Sequence, residues 1–527
     1  MNDPLILICS GAYCDTELVA EFGKLPPSFL PVGHSRLYEL QLDSLRQLRG
    51  RRLLSLPDSF DLPDFDRAQL LERGVEVVAV PENLRLGESI AHALQVAGAS
   101  IEPVTILHGD TVVYDPPGPH GDVVAVSTAM RSYAWGSFDQ AADRFRAGGA
   151  FDGTIQAVCG YFSFSSGVEL RRSLALSRGD FIEALNYYKN ALKLDLVSAE
   201  RWLDFGHLQT FYSSRCEIRT QRAFNDLTIS YSTVEKTSSD LAKIEAEAAW
   251  YENLPHELKG YVPAYLGRRG RDRAGYAVGY LPTPSLHELF VFGDLDRATW
   301  ERVIASSFDF IRECSRFGEA KPAEPTLGRL TVEKTEARLR QFAKNAEFDL
   351  NEEWRYAGRL MPSIGAMAKN TACSIDLETT TFSGVMHGDM CFTNMFFDHR
   401  RQQIQLIDPR GQIDPASPSI YGDIRYDMAK LNHSIVGMYD FILAGRYECS
   451  GFLSRDVEIT FPVSGSASFL SNIARQHDVS GRTISHKEIA AITVHLFLSM
   501  LPLHRDRPDR QKAFLANAYR LYAAHWE

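Results

Sequence analysis

The stretch VMHGDMCFTNMFFDHRRQQIQLID, residues 385–408, decides the fold of the second half of the chain. It has the pattern H-G-D-x-x-x-x-N, and an Asp closes the apolar strand IQLID fourteen residues after the Asn. Phosphoryl transfer to a hydroxyl requires a carboxylate that orients and deprotonates this hydroxyl, and an amide and a second carboxylate that hold Mg²⁺ on the ATP phosphates. We predict that Asp389, Asn394 and Asp408 are these catalytic groups, with Asn394 and Asp408 as metal ligands. The alternative is a turn and hairpin without chemistry.

The same residues resemble the motif HGDxxxxN…(I/L)ID of the aminoglycoside phosphotransferase and choline kinase family, which shares the protein-kinase fold. The segment GDIRYDMAKL, residues 422–431, resembles the start of the family's next helix, where Asp427 is expected to be structural. The resemblance spans roughly residues 222–527 and implies an α+β bilobal, protein-kinase-like domain. It further implies ATP and Mg²⁺, with a small sugar or alcohol as the acceptor.

The segment before this motif provides candidates for binding ATP. A kinase needs a Lys on a strand to hold the phosphates and a Glu on the next helix to orient it. Lys236 and Glu247 are the candidates; Glu245 is the alternative, and a solvated helix face would explain either Glu. Residues 227–238 contain no Gly, so a phosphate-covering loop there is not glycine-rich, and the lobe looks short by one strand. Residues 275–281, GYAVGYL, are predicted to form the hinge strand beside the adenine.

The C-terminal residues 496–521 are amphipathic, and we expect them to form helices that wall the acceptor pocket. His504 and Arg505 are the candidate substrate contacts in this segment. The 15 His residues show no metal-ligand spacing such as H-E-x-x-H, so a structural role is the default for them.

The first half of the chain alternates apolar strands with helical patterns. Leu5–Cys9, residues 51–56, Val75–Val80 and residues 104–107 read as strands. Helical patterns at 66–73 and 88–96 lie between them. Continuous apolar strands separated by helices predict an α/β fold with a mostly parallel sheet covered on both faces. Ligands bind at the carboxyl ends of strands in such sheets, so the residues that follow the strands are the candidates.

Three segments follow these strands and carry candidate groups. The loop 10–33 contains Gly11 at the end of the first strand, where backbone N–H groups could face a phosphate. Asp110 in ILHGDTVV and Asp204 in WLDFGH could share one Mg²⁺, because hard cations take oxygen ligands. Each segment alone is also compatible with an ordinary turn. The glycine patterns of the Rossmann and P-loop nucleotide sites are absent.

In this order the segments resemble the sugar-phosphate nucleotidyltransferase family over roughly residues 4–214. The resemblance rests on FLPVGHSRLYELQL (29–42), on LRLGESIA (84–91) and on VCGYFSF (158–164). It implies a Rossmann-like, GT-A-like mixed sheet, with Gly87 and Ser89 near the nucleotide base. It also implies that Asp110 and Asp204 are catalytic metal ligands for nucleotidyl transfer from an NTP to a phosphorylated sugar or alcohol.

One segment departs from this family. SGAYCDTEL stands where the family has a G-x-G-T-R-(M/L) loop followed by a Lys. Lys24 could supply the missing cation from a different offset. Two hypotheses follow from the departure. Either the first half is an active transferase, or it is a nucleotide-sensing or scaffolding module attached to an active kinase.

Together these patterns predict two domains, 1–218 and 219–527, the second with a small lobe at about 219–283 and a helical lobe at about 284–527. They predict a bifunctional transferase that makes a nucleotide-activated building block, and the arrangement resembles fused proteins of bacterial capsule and surface polysaccharide synthesis. We expect small-molecule substrates and nucleoside triphosphates as partners, and an oligomer is possible.

The composition limits the other classes of function. The 527 residues contain 56 Lys+Arg and 67 Asp+Glu, so the net charge of −11 argues against a general nucleic-acid binder. The eight Cys form no C-x-x-C pair and read as reduced thiols. The N-terminus lacks the basic start and long apolar core of a signal peptide, and no apolar run is long enough to span a membrane. We therefore expect a cytoplasmic protein.

Overall fold

The computed structural model describes residues 4–98, 102–117, 121–130, 133, 135–148, 154–218, 225–230, 232–270, 275–318, 325–414, 417–462, 465–474 and 484–526. These residues divide into two compact units, Met1–Glu217 with Phe292–Asp294, and Ile218–Val291 with Leu295–Glu527. Residues 219–224, where the second predicted domain begins, lie outside the described residues. The domain boundary of the sequence analysis stays a prediction.

The first unit combines short strands and helices along its whole length. Its strands are β1 (Leu5–Cys9), β2 (Pro31–Val32), β3 (Ser35–Arg36), β4 (Arg51–Pro57), β5 (Val75–Val80), β6 (Val104–His108), β7 (Thr111–Val113), β8 (Val123–Met130), β9 (Ser137–Asp139), β10 (Arg144–Arg146), β11 (Thr154–Phe164), β12 (Asp195–Ser198) and β13 (Trp202–Asp204). Its helices are α1 (Thr16–Phe22), α2 (Leu37–Ser44), α3 (Asp64–Glu72), α4 (Leu86–Val96), α5 (Gly167–Leu176), α6 (Phe181–Ala191) and α7 (Leu208–Glu217).

The main sheet of this unit has nine strands and is mixed. The parallel part runs β6-β1-β4-β5, and β11 continues it antiparallel to β6. Strands β8 and β9 both pair with β11. Strand β12 then pairs with β8, and β10 pairs with β9. Outside this sheet, β13 pairs with β7 directly after the carboxyl end of β6. The predicted mixed sheet is confirmed, and its parallel strands β6, β1, β4 and β5 form one end of it.

Strand β1 shows why the sheet is covered on both faces. All five of its side chains are buried, and side chains alternate between the two faces of a strand. Leu5, Leu7 and Cys9 pack in one apolar cluster with side chains of α4, α5 and α6. Ile6 and Ile8 point to the opposite face and are also buried. An all-apolar strand therefore occupies the centre of the sheet, as the sequence pattern predicts.

The second unit begins with strands and continues mostly in helices. Its strands are β14 (Asn225–Ile229), β15 (Thr233–Ser238), β16 (Tyr265–Arg269), β17 (Gly275–Gly279), β18 (Trp354–Tyr356), β19 (Arg359–Met361), β20 (Ser383–Val385), β21 (Met395–Asp398), β22 (Gln403–Leu406), β23 (Gln412–Asp414), β24 (Ser417–Pro418), β25 (Tyr421–Asp423), β26 (Glu448–Ser450) and β27 (Asp456–Thr460). Its helices are α8 (Leu241–Asn253), α9 (Leu286–Phe292), α10 (Arg297–Cys314), α11 (Lys334–Ala346), α12 (Ile364–Ala372), α13 (Ile424–Ile435), α14 (Tyr439–Leu443), α15 (Gly465–Ala474), α16 (His486–Met500) and α17 (Pro508–Trp526).

The small lobe of this unit is an antiparallel sheet in the order β14-β15-β17-β16, followed by a helical lobe. Helix α8 begins three residues later than the sequence pattern suggests. Ser238 still belongs to β15, and the Asp240 side chain accepts a hydrogen bond from the Lys243 N–H, which caps the helix. In the helical lobe α16 is buried along almost its whole length and packs against α11, α13 and α17. Within the described residues, no helix combines the length and the apolar character needed to cross a bilayer.

Candidate functional site

The small lobe of the second unit holds a buried Lys between two carboxylates. The Nζ of Lys236, on β15, is 2.6 Å from Glu247 Oε2 on α8 and 3.0 Å from Asp408 Oδ1. The Tyr276 hydroxyl donates to the same Glu247 oxygen at 3.0 Å. Burial opposes the charged form of Lys236, but Asp408 and Glu247 outweigh this and raise the pKa of Lys236 above its usual value. Lys236 is therefore a fixed positive charge at neutral pH.

The structure also separates the two Glu candidates. Glu245, the alternative, forms an ion pair with Arg268 on the exposed side of α8. Glu247, two residues later, points to the opposite side of the helix and is buried. The helical period places residues two apart on different faces, so only Glu247 reaches Lys236.

We expect Glu247→Gln to lower kcat/KM for ATP by roughly 10–100-fold, because Lys236 loses a charged hydrogen-bond partner. Glu245→Gln is the matched control on the same helix and should leave this value unchanged, because its ion pair is exposed. Steady-state kinetics with varied ATP measure both variants. Equal losses in the two variants would contradict the assignment of Glu247.

The second group of predicted residues forms the loop between β20 and β21. The Asn394 Nδ2 donates to the backbone oxygen and to Oδ2 of Asp389, both at 3.0 Å. The Nζ of Lys430, on α13, is 2.8 Å from Asp389 Oδ1. Burial opposes the ionisation of Asp389, but the Lys430 ammonium outweighs it and holds the pKa of Asp389 well below its usual range. Asp389 is thus an ionised, oriented carboxylate whose side chain is 41% exposed.

Asp427 fixes the backbone of this loop through hydrogen bonds. Its two carboxylate oxygens accept hydrogen bonds from the backbone N–H groups of His387 and Gly388, each at 2.7 Å. Gly388 has φ +77°, and a Cβ there would lie 2.6 Å from the Cβ of Arg410. Only Gly fits this turn. These contacts agree with the structural role expected for Asp427.

The hairpin β21–β22 brings Asn394 and Asp408 together. Asn394 directly precedes β21, and its backbone oxygen accepts from the Ile407 N–H at 3.0 Å. Asp408 follows and has φ +56°, a left-handed conformation that is strained for a residue other than Gly. This conformation turns the Asp408 carboxylate towards Lys236.

These groups fit a magnesium ion bound to a nucleotide. The two hydrogen bonds that Asn394 Nδ2 donates turn its Oδ1 away from Asp389, so an amide oxygen and the Asp408 carboxylate can act as oxygen ligands. Mg²⁺ typically takes one or two protein carboxylates and completes its shell with phosphate oxygens and water. Among the described residues, no group of three or more His, Cys, Asp and Glu is placed to hold a metal ion by itself.

Three other predictions concern the same unit. Residues 275–279 of the proposed hinge strand form β17, between β15 and β16 in the small sheet. His504 packs against the Phe514 ring at 4.9 Å between centroids, and burial lowers the pKa of His504 to about 4. Arg505 is exposed. Among the described contacts none joins His504 or Arg505 to the catalytic loop, and their role as substrate contacts stays a prediction.

The first unit brings its two predicted metal carboxylates together. Asp204 ends β13, which pairs with β7, so Asp204 lies opposite Thr111, the neighbour of Asp110. The backbone oxygen of Asp110 accepts from the Phe205 N–H at 2.8 Å. Between the carboxylates lies Gly206, where a Cβ would be 2.6 Å from Asp110 Oδ2 and 3.3 Å from Asp204 Oδ1. The absence of a side chain at Gly206 leaves the space between the two carboxylates open.

The electrostatics of this pair favour a cation. Burial raises the pKa of Asp110, and burial together with the charge of Asp110 raises the pKa of Asp204. Two half-buried carboxylates so close together are compensated by a proton or a metal ion. Asp110 and Asp204 therefore fit the Mg²⁺ site that the sequence predicts.

Two residues that the sequence analysis missed position these carboxylates. The buried Gln41 on α2 donates from Nε2 to the backbone oxygens of His108, Gly109 and Thr111 at 2.9–3.1 Å, which fixes the bend that carries Asp110. The Trp135 indole N–H donates to Asp204 Oδ2 at 3.1 Å. Sequence distances of about 70 residues separate these partners, so no local pattern reveals them.

We expect Asp204→Asn to raise the melting temperature of the metal-free protein, because it removes the like charge beside Asp110. A rise of about 2–4 °C corresponds to roughly 1 kcal/mol in a unit of this size. Because the folded-state pKa of Asp204 is raised, the wild-type protein should gain stability as the pH falls towards that pKa, and the variant should gain less. Thermal unfolding in EDTA measures the effect.

Adding Mg²⁺ provides the second half of this test. The wild-type protein should gain stability with Mg²⁺, and Asp204→Asn should not, because one of its two anionic ligands is lost. Asp195→Asn, an exposed carboxylate that pairs with Lys193, serves as the control and should behave like the wild type. A variant that is less stable in EDTA and still responds to Mg²⁺ would contradict the metal site.

Of the proposed nucleotide-binding residues of this unit, Gly11 and Ser89 lie close to each other, and Gly87 packs against another loop. A Cβ on Gly11 would lie 2.7 Å from Ser89 Oγ, so the end of β1 contacts the first turn of α4. The Gly87 N–H, however, donates to the Gly179 oxygen at 3.1 Å, and a Cβ at 87 would lie 2.6 Å from that oxygen. This close packing accounts for Gly87. The expectation that it contacts the base stays a prediction.

Lys24 lies on the surface of the same unit. Its Nζ is 3.8 Å from Glu82 Oε1 and 4.0 Å from the centre of the Tyr13 ring, and its side chain is 56% exposed. A mobile ammonium at an exposed site can turn to a phosphate at little cost, since its ion pair is weak. Its proposed role in holding a triphosphate is therefore compatible with the geometry and stays a prediction.

No family model matches this sequence, and a search of curated proteins finds no relative. Among solved structures, the chain is similar to an aminoglycoside-3'-phosphotransferase of type VIII, with 12% identity and a TM-score of 0.33. This match covers 54% of the chain and 92% of that structure.

The chain is also similar to the CTP:phosphocholine cytidylyltransferase of Streptococcus pneumoniae, with 11% identity and a TM-score of 0.31, over 41% of the chain and 99% of that structure. A 4-diphosphocytidyl-2C-methyl-D-erythritol synthase from Anaerococcus prevotii matches with 10% identity and a TM-score of 0.29, over 42% of the chain and 99% of that structure. The matches cover different parts of the chain. They include both classes of transferase that the sequence motifs resemble. Individual residue roles rest on the geometry described above.

Proposed function

We propose that the chain is a bifunctional transferase. Its second unit would phosphorylate the hydroxyl of a small sugar or alcohol with ATP, and its first unit would transfer a nucleotidyl group from an NTP to the new phosphate. One observation carries the kinase half: Lys236 is held between Glu247 and Asp408, and the Ile407 N–H next to Asp408 donates to the backbone oxygen of Asn394, whose side chain binds Asp389. The pair Asp110 and Asp204 supports the transferase half.

In the proposed kinase step, the acceptor oxygen forms a bond to the γ-phosphorus while the bond to the β–γ bridging oxygen breaks. ADP leaves with that electron pair, and the hydroxyl proton passes to the Asp389 carboxylate. Lys236 offsets charge on the ATP phosphates and is kept in place by Glu247. Asn394 and Asp408 would hold a Mg²⁺ ion, which would supply further charge compensation on the phosphates.

Asp389 acts mainly as an orienting group in this proposal. Its pKa lies well below the usual range, so it is ionised at neutral pH and can accept a hydrogen bond from the acceptor hydroxyl. Phosphoryl transfer has a loose transition state, in which the proton leaves late and positioning contributes most of the rate. The hydrogen bonds from Asn394 fix the carboxylate for this task.

In the proposed transferase step, a phosphate oxygen of the phosphorylated acceptor attacks the α-phosphorus of the NTP. The bond between the α-phosphorus and the α–β bridging oxygen breaks, and pyrophosphate leaves with that electron pair. Asp110 and Asp204 would hold the Mg²⁺ that offsets charge on the triphosphate. The product is a nucleotide-activated sugar or alcohol, which suits a role in bacterial capsule or surface polysaccharide synthesis in the cytoplasm, where NTPs are supplied.

Mass spectrometry of products tests both steps at once. The full chain is incubated with Mg²⁺, the four NTPs and a panel of sugars, polyols and their phosphates. We expect a phosphorylated acceptor and its nucleotidyl derivative, together with ADP and pyrophosphate. The absence of any phosphorylated compound would overturn the kinase half, and phosphorylated acceptors without pyrophosphate would overturn the transferase half.

A nucleotide-sensing or scaffolding first unit is the second candidate. The sequence SGAYCDTEL, which stands in place of the G-x-G-T-R-(M/L) loop, favours it. In that case, NTPs would stabilise the first unit against heat or change kinase turnover without being consumed. Pyrophosphate release that depends on Asp110 would exclude this candidate.

A further inference from the structure

Four cationic side chains surround Tyr426 near the proposed kinase site. They belong to Lys334, Arg338, Arg410 and Lys430, and we call them the cationic cluster. Tyr426 is fully buried on α13, and Lys430 follows it by one helical turn, so both side chains lie on the same helix face. The Lys430 Nζ is 2.8 Å from Asp389 Oδ1. One end of the cluster thus reaches the proposed catalytic carboxylate.

Helix α11 contributes the next two cations. The Nζ of Lys334, in its first turn, lies 3.3 Å from the Tyr426 hydroxyl and 5.8 Å from the centre of that ring. Arg338 follows one turn later on the same side of the helix and donates from Nη1 to the Ser499 oxygen at 3.1 Å. Both side chains are half-buried.

Arg410 completes the cluster from the catalytic loop. Its backbone N–H donates to the His387 oxygen at 2.7 Å, and its Nε donates to the Gln412 oxygen at 2.9 Å. Its Cβ lies above Gly388, where a side chain would collide with it. Arg410 therefore lies directly against the H-G-D turn that carries Asp389.

The cluster carries more positive charge than its protein neighbours balance. Asp389 pairs with Lys430, but in the described part of the chain no carboxylate lies within ion-pair distance of Lys334, Arg338 or Arg410. Burial is the largest cause of a lowered pKa of Lys334, Tyr426 opposes it, and the other three cations add to it, so that this pKa lies at about 8. Burial opposes ionisation of Tyr426, yet Lys334, Lys430 and Arg410 lower the pKa of its hydroxyl to about 8. Three of the four cations thus lack a carboxylate partner among the described residues, and half-buried cations of this kind indicate a ligand that brings negative charge.

We propose that the acceptor of the kinase step is an anion. It would carry a carboxylate or a phosphate group beside the hydroxyl that receives the phosphoryl group, and the cationic cluster would bind this oxyanion while Asp389 orients the hydroxyl. The inference rests on the proposed kinase function and adds the charge class of its substrate. Arg and Lys are suited to both oxyanions, since they donate charge-assisted hydrogen bonds.

The charge of the cluster disfavours the opposite class of acceptor. An amino alcohol or an aminosugar would place its cation against several positive side chains that lack carboxylate partners, which costs binding free energy. In the proposed kinase step Lys236 and Asp408 already serve the nucleotide and its metal ion. If the cluster served the γ-phosphate of ATP instead, its loss would raise KM for ATP, and this separates the two roles.

The test compares matched acceptors in the full chain with Mg²⁺ and ATP. Neutral polyols of three to six carbons are measured beside the corresponding sugar acids, phosphomonoesters and amino alcohols. We expect kcat/KM for an anionic acceptor to exceed that of its neutral counterpart by roughly 10–100-fold. The comparison of acids with phosphomonoesters shows which oxyanion is bound.

Two variants assign the preference to the cluster. Lys334→Met and Arg338→Met should each raise KM for the anionic acceptor about tenfold or more and leave KM for ATP within twofold. Lys344→Met, an exposed Lys on the same helix, should change neither value. Melting temperatures of all variants, with and without each anion, show that the proteins fold and report anion binding without turnover.

Each outcome decides the inference. Preference for neutral or cationic acceptors, or an effect of Lys334→Met on KM for ATP alone, would overturn it. If no compound is phosphorylated but anions stabilise the wild type and not Lys334→Met, the kinase function fails and the anion site stands. If no anion is phosphorylated or stabilises the protein, the anion site is refuted.

Discussion

Asp389→Asn should lower ATP-dependent phosphorylation of the acceptor by roughly 10²–10⁴-fold, the effect typical of losing a catalytic base. An amide keeps the shape of the side chain but cannot take the hydroxyl proton, and it leaves the Lys430 ammonium without its carboxylate. The loss should appear in kcat and in kcat/KM for the acceptor, with little change in KM for ATP. Coupled detection of ADP measures it.

Two controls accompany this variant. Asp398→Asn changes a carboxylate in the same β21–β22 hairpin outside the site and should retain most of the activity. Pyrophosphate release by the first unit, assayed with a pre-phosphorylated acceptor, should be unaffected by Asp389→Asn. Turnover within tenfold of the wild type would show that Asp389 is not the catalytic carboxylate.

The second large effect is expected in the first unit. Asp110→Asn should reduce pyrophosphate release by at least about 10²-fold, because it removes one of the two carboxylates proposed to hold Mg²⁺. Kinase turnover should persist in this variant, since the residues of the kinase site all lie in the other unit. Release of pyrophosphate is measured with each NTP in turn and a phosphorylated acceptor.

The reciprocal pattern of the two variants is the decisive result. Asp110→Asn should remove only pyrophosphate release, and Asp389→Asn should remove only phosphorylation. Asp122→Asn, a carboxylate of the first unit that accepts hydrogen bonds from Ser165 and Tyr188, is the control for general damage to that unit. Undiminished pyrophosphate release in Asp110→Asn would refute the metal site.

The sequence predicted those features of the fold that depend on local patterns. Leu5–Cys9 and Val75–Val80 are strands with the predicted bounds, because a short apolar run between polar turns leaves few alternatives. Lys236 and Glu247 are only eleven positions apart, and the sequence predicted their pairing because a kinase needs a Lys on a strand and a Glu on the next helix. The choice between Glu245 and Glu247, by contrast, needed the orientation of the helix.

The sequence did not predict contacts between segments that are far apart in the chain. Lys430 reaches Asp389 across forty-one positions, and Lys334 reaches Tyr426 across ninety-two. Lys334 belongs to no quoted motif, and Lys430 lies within the segment GDIRYDMAKL, whose pattern does not name a partner for it. The charge of the proposed acceptor site depends on such tertiary contacts, so the resemblance to known families did not indicate it.

At Gly206 the proposed metal site depends on the absence of a side chain. The backbone there comes so close to both carboxylates that a single methyl group would touch the oxygen of Asp110. Exchanging this residue for Ala would leave every charged group in place and yet fill the volume that a dication needs. Variation at position 206 thus offers a purely steric way to silence nucleotidyl chemistry in relatives of this chain, one that a comparison of acidic residues alone would overlook.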